Sequence, residues 1–219
     1  MIRGVIFDLD GVLVHTDELH YQSWKRIADE EGVPFDRTIN DRLRGVDRMT
    51  SLAILLERAG RPYDDVERRR LAERKNDLYR QALATLTPQD AAPGAHELLR
   101  DLRARGVKTA VASSSRNAPL LLERLNLRPL LDAVADGNDA AAPKPAPDLF
   151  LLAARRSAAA PDDCVVVEDA ESGVAGALAA GMRVIGIGPA GRDPRAHRRA
   201  ADLASLRVED VVTWPDART

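Results

Sequence analysis

Two aspartates, separated by a single leucine, close an apolar run: Val5-Ile6-Phe7-Asp8-Leu9-Asp10, followed at once by Gly11. If the run is a strand, Asp8 and Asp10 stand together at its C-terminal end. Like charges that close raise each other's pKa unless a cation neutralises them, and a donor set made only of oxygen suits Mg2+. A carboxylate in such a place is also a competent nucleophile toward phosphorus. The pattern points to metal-assisted phosphoryl transfer through an aspartyl-phosphate. The plain alternative is a strand ending in an Asp-Gly turn, and the rest of the chain has to decide.

Three further polar clusters follow apolar runs or sit in stiffened loops. Val111-Ala112 leads into Ser113-Ser114-Ser115-Arg116-Asn117, hydroxyls and amides placed ahead of a helix, where phosphate is readily cradled. A helix-capping turn is the plain reading of that stretch. Pro143-Lys144-Pro145 holds a lysine in a loop stiffened on both sides, able to neutralise a transferring phosphoryl group or the aspartate beside it. Val165-Val166-Val167 runs into Glu168-Asp169, carboxylates that could complete a cation site with Asp8 and Asp10. Asp169 could equally cap the helix that follows. In an open α/β sheet, ligands bind outside the carboxyl ends of the strands, so four signals that are weak singly reinforce one another.

The elements that must position these groups follow from apolar periodicity. Short apolar runs at 4–7, 107–112, 164–167 and 183–187, with a weaker one at 132–135, predict buried parallel strands. Helical stripes separate the later ones: Ala95, Leu98, Leu99 and Leu102 before Gly106, then Leu149, Leu152 and Ala153, then the small-residue stretch 171–181. Strand alternating with helix predicts a doubly wound parallel sheet. Residues from about 15 to 90 show helices only: about 17–31, with His20, Trp24, Ile27 and Ala28 on one face; a short one at 36–43; one starting at an Asp47 N-cap; and one from about 64 to 86, begun by the capping-box pair Asp64 and Glu67. The expected architecture is an α/β core of residues 1–14 and 91–219 carrying a helical bundle of residues 15–90 between two linkers. Two linkers at one edge make a hinge, and a hinge suggests a lid over a site.

Composition narrows the partners. Hydrophobic residues are 45% and charged residues 30% of 219, with a formal net charge of −2, which leaves no electrostatic footprint for nucleic acid or an anionic membrane. Arg68-Arg69-Arg70 lies between Glu67 and Glu73 and reads as a solvated helix face, as do Arg195, Arg198 and Arg199. Cys164 is the one cysteine, so an internal disulfide is ruled out and a buried thiol is expected. No apolar run approaches the ~18 residues needed to span a bilayer. A monomeric, cytoplasmic protein is expected. Gly186-Ile187-Gly188-Pro189-Ala190-Gly191 matches a dinucleotide-binding spacing, but it comes late, contains proline and leads into Arg192-Asp193-Pro194 instead of an apolar helix.

In the order Asp-x-Asp, Ser, Lys, Glu-Asp the chain resembles the haloacid dehalogenase superfamily, magnesium-dependent phosphotransferases with an aspartate nucleophile. The bundle adds detail. Lys75 interrupts an apolar stripe of Leu71, Leu78 and Ala82, His20 precedes Trp24 by one turn, and Arg48 stands beside a helix start. Such a lid can grip a second phosphate and its sugar. The segments 43–48, 73–77, 115–117 and 121–127 are similar to those of the β-phosphoglucomutase family, over nearly the whole chain up to Gly188. That resemblance implies Asp8 as nucleophile and Asp10 as general acid/base. It implies Mg2+ on the Asp8 carboxylate, the Asp10 main-chain carbonyl and Asp169, with Glu168 alongside. Ser113 and Lys144 would bind the transferring phosphoryl group, and Arg48, Ser115, Arg116 and Asn117 the other phosphate. Gly45, Val46, Lys75 and His20 would meet the sugar, and Thr16 would sit at the hinge. The implied reaction interconverts β-glucose 1-phosphate and glucose 6-phosphate, with β-glucose 1,6-bisphosphate as priming intermediate. A sugar phosphatase of the same superfamily is the alternative. His15 departs from the acidic residue common there, Arg116 from the more usual lysine, and Pro143 from a small or polar residue.

Overall fold

The computed structural model describes residues 2–139 and 142–214. Strands β1 (Gly4–Phe7), β2 (Lys108–Ala112), β3 (Ala133–Ala135), β4 (Cys164–Glu168), β5 (Arg183–Ile187) and β6 (Arg198–Ala200) form one sheet in the order β3-β2-β1-β4-β5-β6. Every pairing is parallel. Five of the strands fall where the apolar runs predict them. The sixth corrects the reading of Arg198 and Arg199 as a helix face: they lie in β6, whose edge position leaves it partly exposed and without an apolar signature.

Helices α1 (Asp17–Glu30), α2 (Arg37–Asp41), α3 (Arg48–Leu56) and α4 (Asp65–Leu83) lie between β1 and β2 in the chain. Asp36, Asp47 and Asp64 cap α2, α3 and α4 with their carboxylates, and Asp64 with Glu67 closes a full capping box. These helices have their own core, including Trp24, Ile27, Phe35, Ile39, Leu52, Leu55 and Leu71. The chain enters and leaves the insert side by side: Val14 bridges Ala91, and Ala92 N–H donates to the Leu13 carbonyl at 2.8 Å.

Helices α5 (Ala95–Ala104), α6 (Ala118–Arg124), α7 (Asp148–Arg156), α8 (Glu171–Ala179) and α9 (Val208–Val212) cover the sheet. Strand alternation divides the core between its faces. Val5, Phe7, Val165 and Val167 pack with Leu98, Leu99, Leu121 and Val211 from α5, α6 and α9. Ile6 and Val166 pack with Leu149, Phe150, Ala153, Val174 and Ala177 from α7 and α8. Cys164 is buried in this second layer, and burial pushes its thiol up to about 12. No described helix is long and apolar enough to cross a membrane.

The strand order turns back at β1, and the register sets Phe7 opposite Val111 on one side and Val167 on the other. Asp8, Ser113 and Glu168 are thereby brought to one edge of the sheet. The small residues of α8 have a steric reason. A Cβ on Gly173 would lie 2.0 Å from Glu168 Cδ, and one on Gly176 3.0 Å from Phe150. Gly173→Ala is therefore expected to lower the unfolding free energy by about 1–3 kcal/mol, the typical cost of overpacking, and to push the Glu168 carboxylate off its partners. Urea unfolding of the variant beside the parent checks this, and an unchanged midpoint would contradict the contact.

Candidate active site

The buried centre is an ion triad. Lys144 Nζ donates to Asp8 Oδ1 at 2.6 Å and to Glu168 Oε2 at 2.8 Å, and lies 4.8 Å from the centroid of the Phe150 ring. All three residues are buried. Burial opposes the charge of Lys144, but Asp8 and Glu168 outweigh it and hold the ammonium protonated above its usual range. Burial is also the main reason the Asp8 carboxyl is pushed up to about 8, against the pull of Lys144 and with the push of Glu168 and Asp10. Glu168 Oε1 accepts from the N–H groups of Asp169 and Ala170. This corrects the capping reading: Ala170 holds the N-cap position of α8, and the carboxylate serving the chain ahead of that helix is Glu168.

Asp169 completes a group of three carboxylates, with Asp8 and Glu168, whose candidate ligand oxygens lie within 4.8 Å of one another. Burial, then Glu168 and Asp8, raise the Asp169 carboxyl well above its ordinary range, with Arg44 pulling the other way. Lys144 pairs with Asp8 and Glu168, and Arg44 reaches Asp169 at 3.3 Å, so three carboxylates share two cations and leave negative charge in a low-dielectric site. A hard divalent cation fits such an oxygen donor set.

Asp10 is held differently. Its Oδ1 accepts from Thr16 Oγ1 and, at 3.2 Å, from the Tyr79 hydroxyl, while His20 Nε2 stands 3.6 Å away. Burial alone would raise its carboxyl, yet the His20, Thr16 and Tyr79 contacts bring it below the usual range. Burial, reinforced by Asp10, keeps the Tyr79 phenol protonated. Thr16 sits at the N-cap position of α1 without capping it, since its hydroxyl is spent on Asp10. Lys75 Nζ is 2.8 Å from His20 Nδ1 and lies over the Trp24 and Tyr79 rings, 5.1 and 4.4 Å from their centroids.

The serine turn after β2 folds on itself. Ser113 Oγ accepts from the Ser115 N–H and Ser115 Oγ from the Asn117 N–H. Ser114 Oγ reaches across to the Gly45 carbonyl at 3.1 Å. Gly45 has φ of +69°, and a Cβ there would lie 2.5 Å from Ser172 Oγ and 2.8 Å from Ala170 Cβ. Only glycine lets the insert rest this closely on the core. Arg44 makes a second crossing, 2.7 Å from Asp17 Oδ1 and 3.3 Å from Asp169 Oδ2.

Between the two bodies lies a cavity of about 670 Å3. Asp8, Asp10, Ser113 and Asp169 line it, and so do Arg48, Ser115, Arg116 and Asn117. Burial, then the nearby Arg116, lower the pKa of Arg48, with Asp77 and Glu73 pulling the other way. His20, Gly45, Val46 and Lys75 also line the cavity. Lys144, Glu168 and Thr16 are not among its lining residues; Lys144 bonds to Asp8 and Glu168, and Thr16 to Asp10. Of the sequence-predicted residues all are brought to this one region. Sequence reasoning missed Arg44, Ser51, Asn76 and Tyr79, which line it too, and Ser114. Arg69, read as a solvated face, is exposed and is also among the lining residues. The dipeptide-scale signal that could have found Asn76 and Tyr79 is their spacing from Lys75 on α4, one and four residues on.

A family model for haloacid dehalogenase-like hydrolases matches residues 2–181. Over 189 residues the chain is 42% identical to the β-phosphoglucomutase of Bacillus subtilis (strain 168), covering 85% of this chain and 84% of that one. It is 32% identical over 216 residues to a phosphorylated carbohydrates phosphatase of Thermotoga maritima, covering 96% and 97%. The crystal structure of a β-phosphoglucomutase from Clostridium difficile superposes with a TM-score of 0.91 at 32% identity, covering 95% of each chain.

Two outcomes are expected of these groups. Burial, with Arg48 adding to it, lowers the Lys75 ammonium from the usual 10.5 to about 7. Between those values the unfolded chain binds more protons, so the stability contributed by this group rises with pH. Below pH 7 the buried charge is a standing cost. Lys75→Met is expected to raise the urea midpoint most at pH 6, with the gain shrinking toward pH 10; a gain independent of pH would contradict it. The carboxylate cluster gives the second outcome. Millimolar Mg2+ is expected to raise the melting temperature, EDTA to reverse the rise, and Asp169→Asn to lose most of it, because a ligand bound only by the folded state stabilises that state.

Proposed function

This chain belongs to the haloacid dehalogenase-like hydrolase family, and on that premise we propose that it interconverts β-glucose 1-phosphate and glucose 6-phosphate through an aspartyl-phosphate and β-glucose 1,6-bisphosphate. The observation that carries the proposal is one cavity lined by two sets of groups able to bind phosphate. Asp8, held by Lys144, and Ser113 form one set, and Arg48, Ser115, Arg116 and Asn117 form the other. Hydrolysis of a monophosphate needs one anion site; a bisphosphate that must bind in either direction needs two.

In the proposed cycle Asp8 carries the phosphoryl group. A sugar hydroxyl attacks its phosphorus, Asp10 takes the hydroxyl proton, and the Asp8–phosphorus bond breaks to give the bisphosphate. After the bisphosphate turns end for end, an Asp8 oxygen attacks the other phosphorus and Asp10 returns the proton to the leaving sugar oxygen. General acid–base help of this kind contributes about 10²–10⁴ in rate. Lys144 and Ser113 would hold the transferring group. Mg2+ held by the carboxylates of Asp8 and Asp169 and the Asp10 main-chain carbonyl, with Glu168 alongside, would neutralise charge between nucleophile and phosphoryl oxygens. Arg48, Ser115, Arg116 and Asn117 would grip the distal phosphate, and Gly45, Val46, Lys75 and His20 would meet the sugar. Residues 15–90 would act as a cap on the core of residues 1–14 and 91–219, with Thr16 at the hinge. A single chain supplies both sets of groups, which supports a monomer. Charged sugar phosphates stay in the compartment that makes them, which supports a cytoplasmic enzyme.

A phospho-enzyme must discriminate a sugar hydroxyl from water, and closure driven by sugar phosphate binding supplies that discrimination. The test is the ratio of glucose 6-phosphate formed to phosphate released from β-glucose 1-phosphate with Mg2+. The parent is expected to give a high ratio, higher after priming with the bisphosphate. Arg48→Ala is expected to lower it sharply while acetyl phosphate still charges Asp8. A parent that releases phosphate stoichiometrically, whatever the priming, is a sugar phosphatase.

A further inference from the structure

Asn76 stands on α4 where the two bodies meet, and one atom of it does two things. Asn76 Oδ1 accepts from Arg48 Nη2 at 2.8 Å and from Asn117 Nδ2 at 2.9 Å. Arg48 belongs to α3 of the insert; Asn117 precedes α6 of the core. A guanidinium can only donate, so the atom it faces is the amide oxygen, and the orientation of Asn76 is set by chemistry. Its Nδ2 makes no hydrogen bond among the described residues. Asn117 sits at the N-cap position of α6 without capping it; its side chain is turned to Asn76 instead. All three residues line the cavity.

The charge of the latch is the informative part. Arg48 and Arg116 line one cavity and repel one another, and Asp77 and Glu73 offset part of that repulsion without bonding to Arg48. A carboxylate at position 76 would neutralise them and let the insert close on an empty site. A neutral oxygen aligns Arg48 and Asn117 but leaves the repulsion standing until an anion arrives. We propose that Asn76 is a positioning residue: its neutral side-chain oxygen latches Arg48 of the insert to Asn117 of the core and keeps closure dependent on the phosphate that enters between them. This inference rests on the mutase reading for its consequence, since premature closure would place Asp10 beside the phosphorylated Asp8 with only water to accept the phosphoryl group.

The experiment compares the parent, Asn76→Ala and Asn76→Asp as full-length proteins. Three readings are taken: charging of Asp8 by acetyl phosphate, KM for β-glucose 1-phosphate at saturating bisphosphate, and phosphate release from the charged enzyme without sugar. Removing an acceptor shared with a charged donor should raise KM in Asn76→Ala about ten- to a hundredfold, while charging stays within about twofold of the parent, the spread expected of a group remote from Asp8. Asn76→Asp should speed sugar-free phosphate release severalfold, and Asn76→Ala should not. Parent-like KM and release in both variants would overturn the inference. So would an Asn76→Ala whose charging falls in proportion to its sugar phosphate turnover, the mark of general structural damage. The parent's own product ratio tests the mutase reading separately: a parent that only hydrolyses sinks that reading, and the KM and release comparisons still decide Asn76.

Discussion

The site is organised by the need to neutralise carboxylates buried at the carboxyl ends of β1 and β4. Removing one partner of a buried ion pair strands a charge at a cost of several kcal/mol, so Asp8, Lys144 and Glu168 have to arrive together. Parallel register brings Asp8 beside Glu168. Glycine at 173 leaves room for the glutamate, and the Phe150 ring lies beneath the ammonium. The one ammonium does not balance Asp8, Glu168 and Asp169. That residual negative charge is why a hard cation fits, and why Arg44 of the insert can find an anionic partner on the core at all.

The insert answers this with cations of its own. Arg44, Arg48 and Lys75 all point into the shared cavity or its edge, and each meets a different kind of partner. Arg44 has carboxylates on both sides, Asp17 and Asp169. Lys75 has a neutral histidine nitrogen and two aromatic faces. Arg48 has an amide oxygen and, nearby, another arginine. The Arg44 contact favours contact between the bodies without any ligand. Arg48 and Lys75 form no ion pair among the described residues, and burial brings the Lys75 ammonium down to about 7.

How much of this the sequence discloses depends on the reach of each contact. Asp8, Ser113, Glu168 and Asp169 are legible because each sits where an apolar run stops, and strand ends of one sheet share an edge; Lys144 is legible as a lysine held between two prolines. Lys75 is legible because it breaks an apolar stripe within its own helix. The three N-cap aspartates of the insert are legible for the same local reason. Asn76 and Arg44 are not. Their partners lie 41 and 125 residues away on another body, and only the place of Asn76 directly after Lys75 gives a local hint of either. Strand β6 escapes because an exposed edge strand of three residues carries no period. Arg69 escapes as a lining residue because a lining arginine and a solvated one look alike until the opposite wall is in place.

The placement of the insert immediately after β1 has a consequence for the two aspartates. Asp8 and Asp10 are two residues apart, yet they answer to different bodies. Asp8 is fixed by Lys144 from the core. Asp10 is gripped by Thr16 where the insert begins and by His20 and Tyr79 within it. In the proposed reaction a rotation of the insert would move the Asp10 carboxylate while leaving the Asp8 carboxylate where it is. The nucleophile would be permanently in place and the proton carrier would not. Holding two neighbouring aspartates from two parts of the fold would make acid–base help conditional on closure in that reaction, and it requires only that the insertion point lie between the strand and the second aspartate's partners.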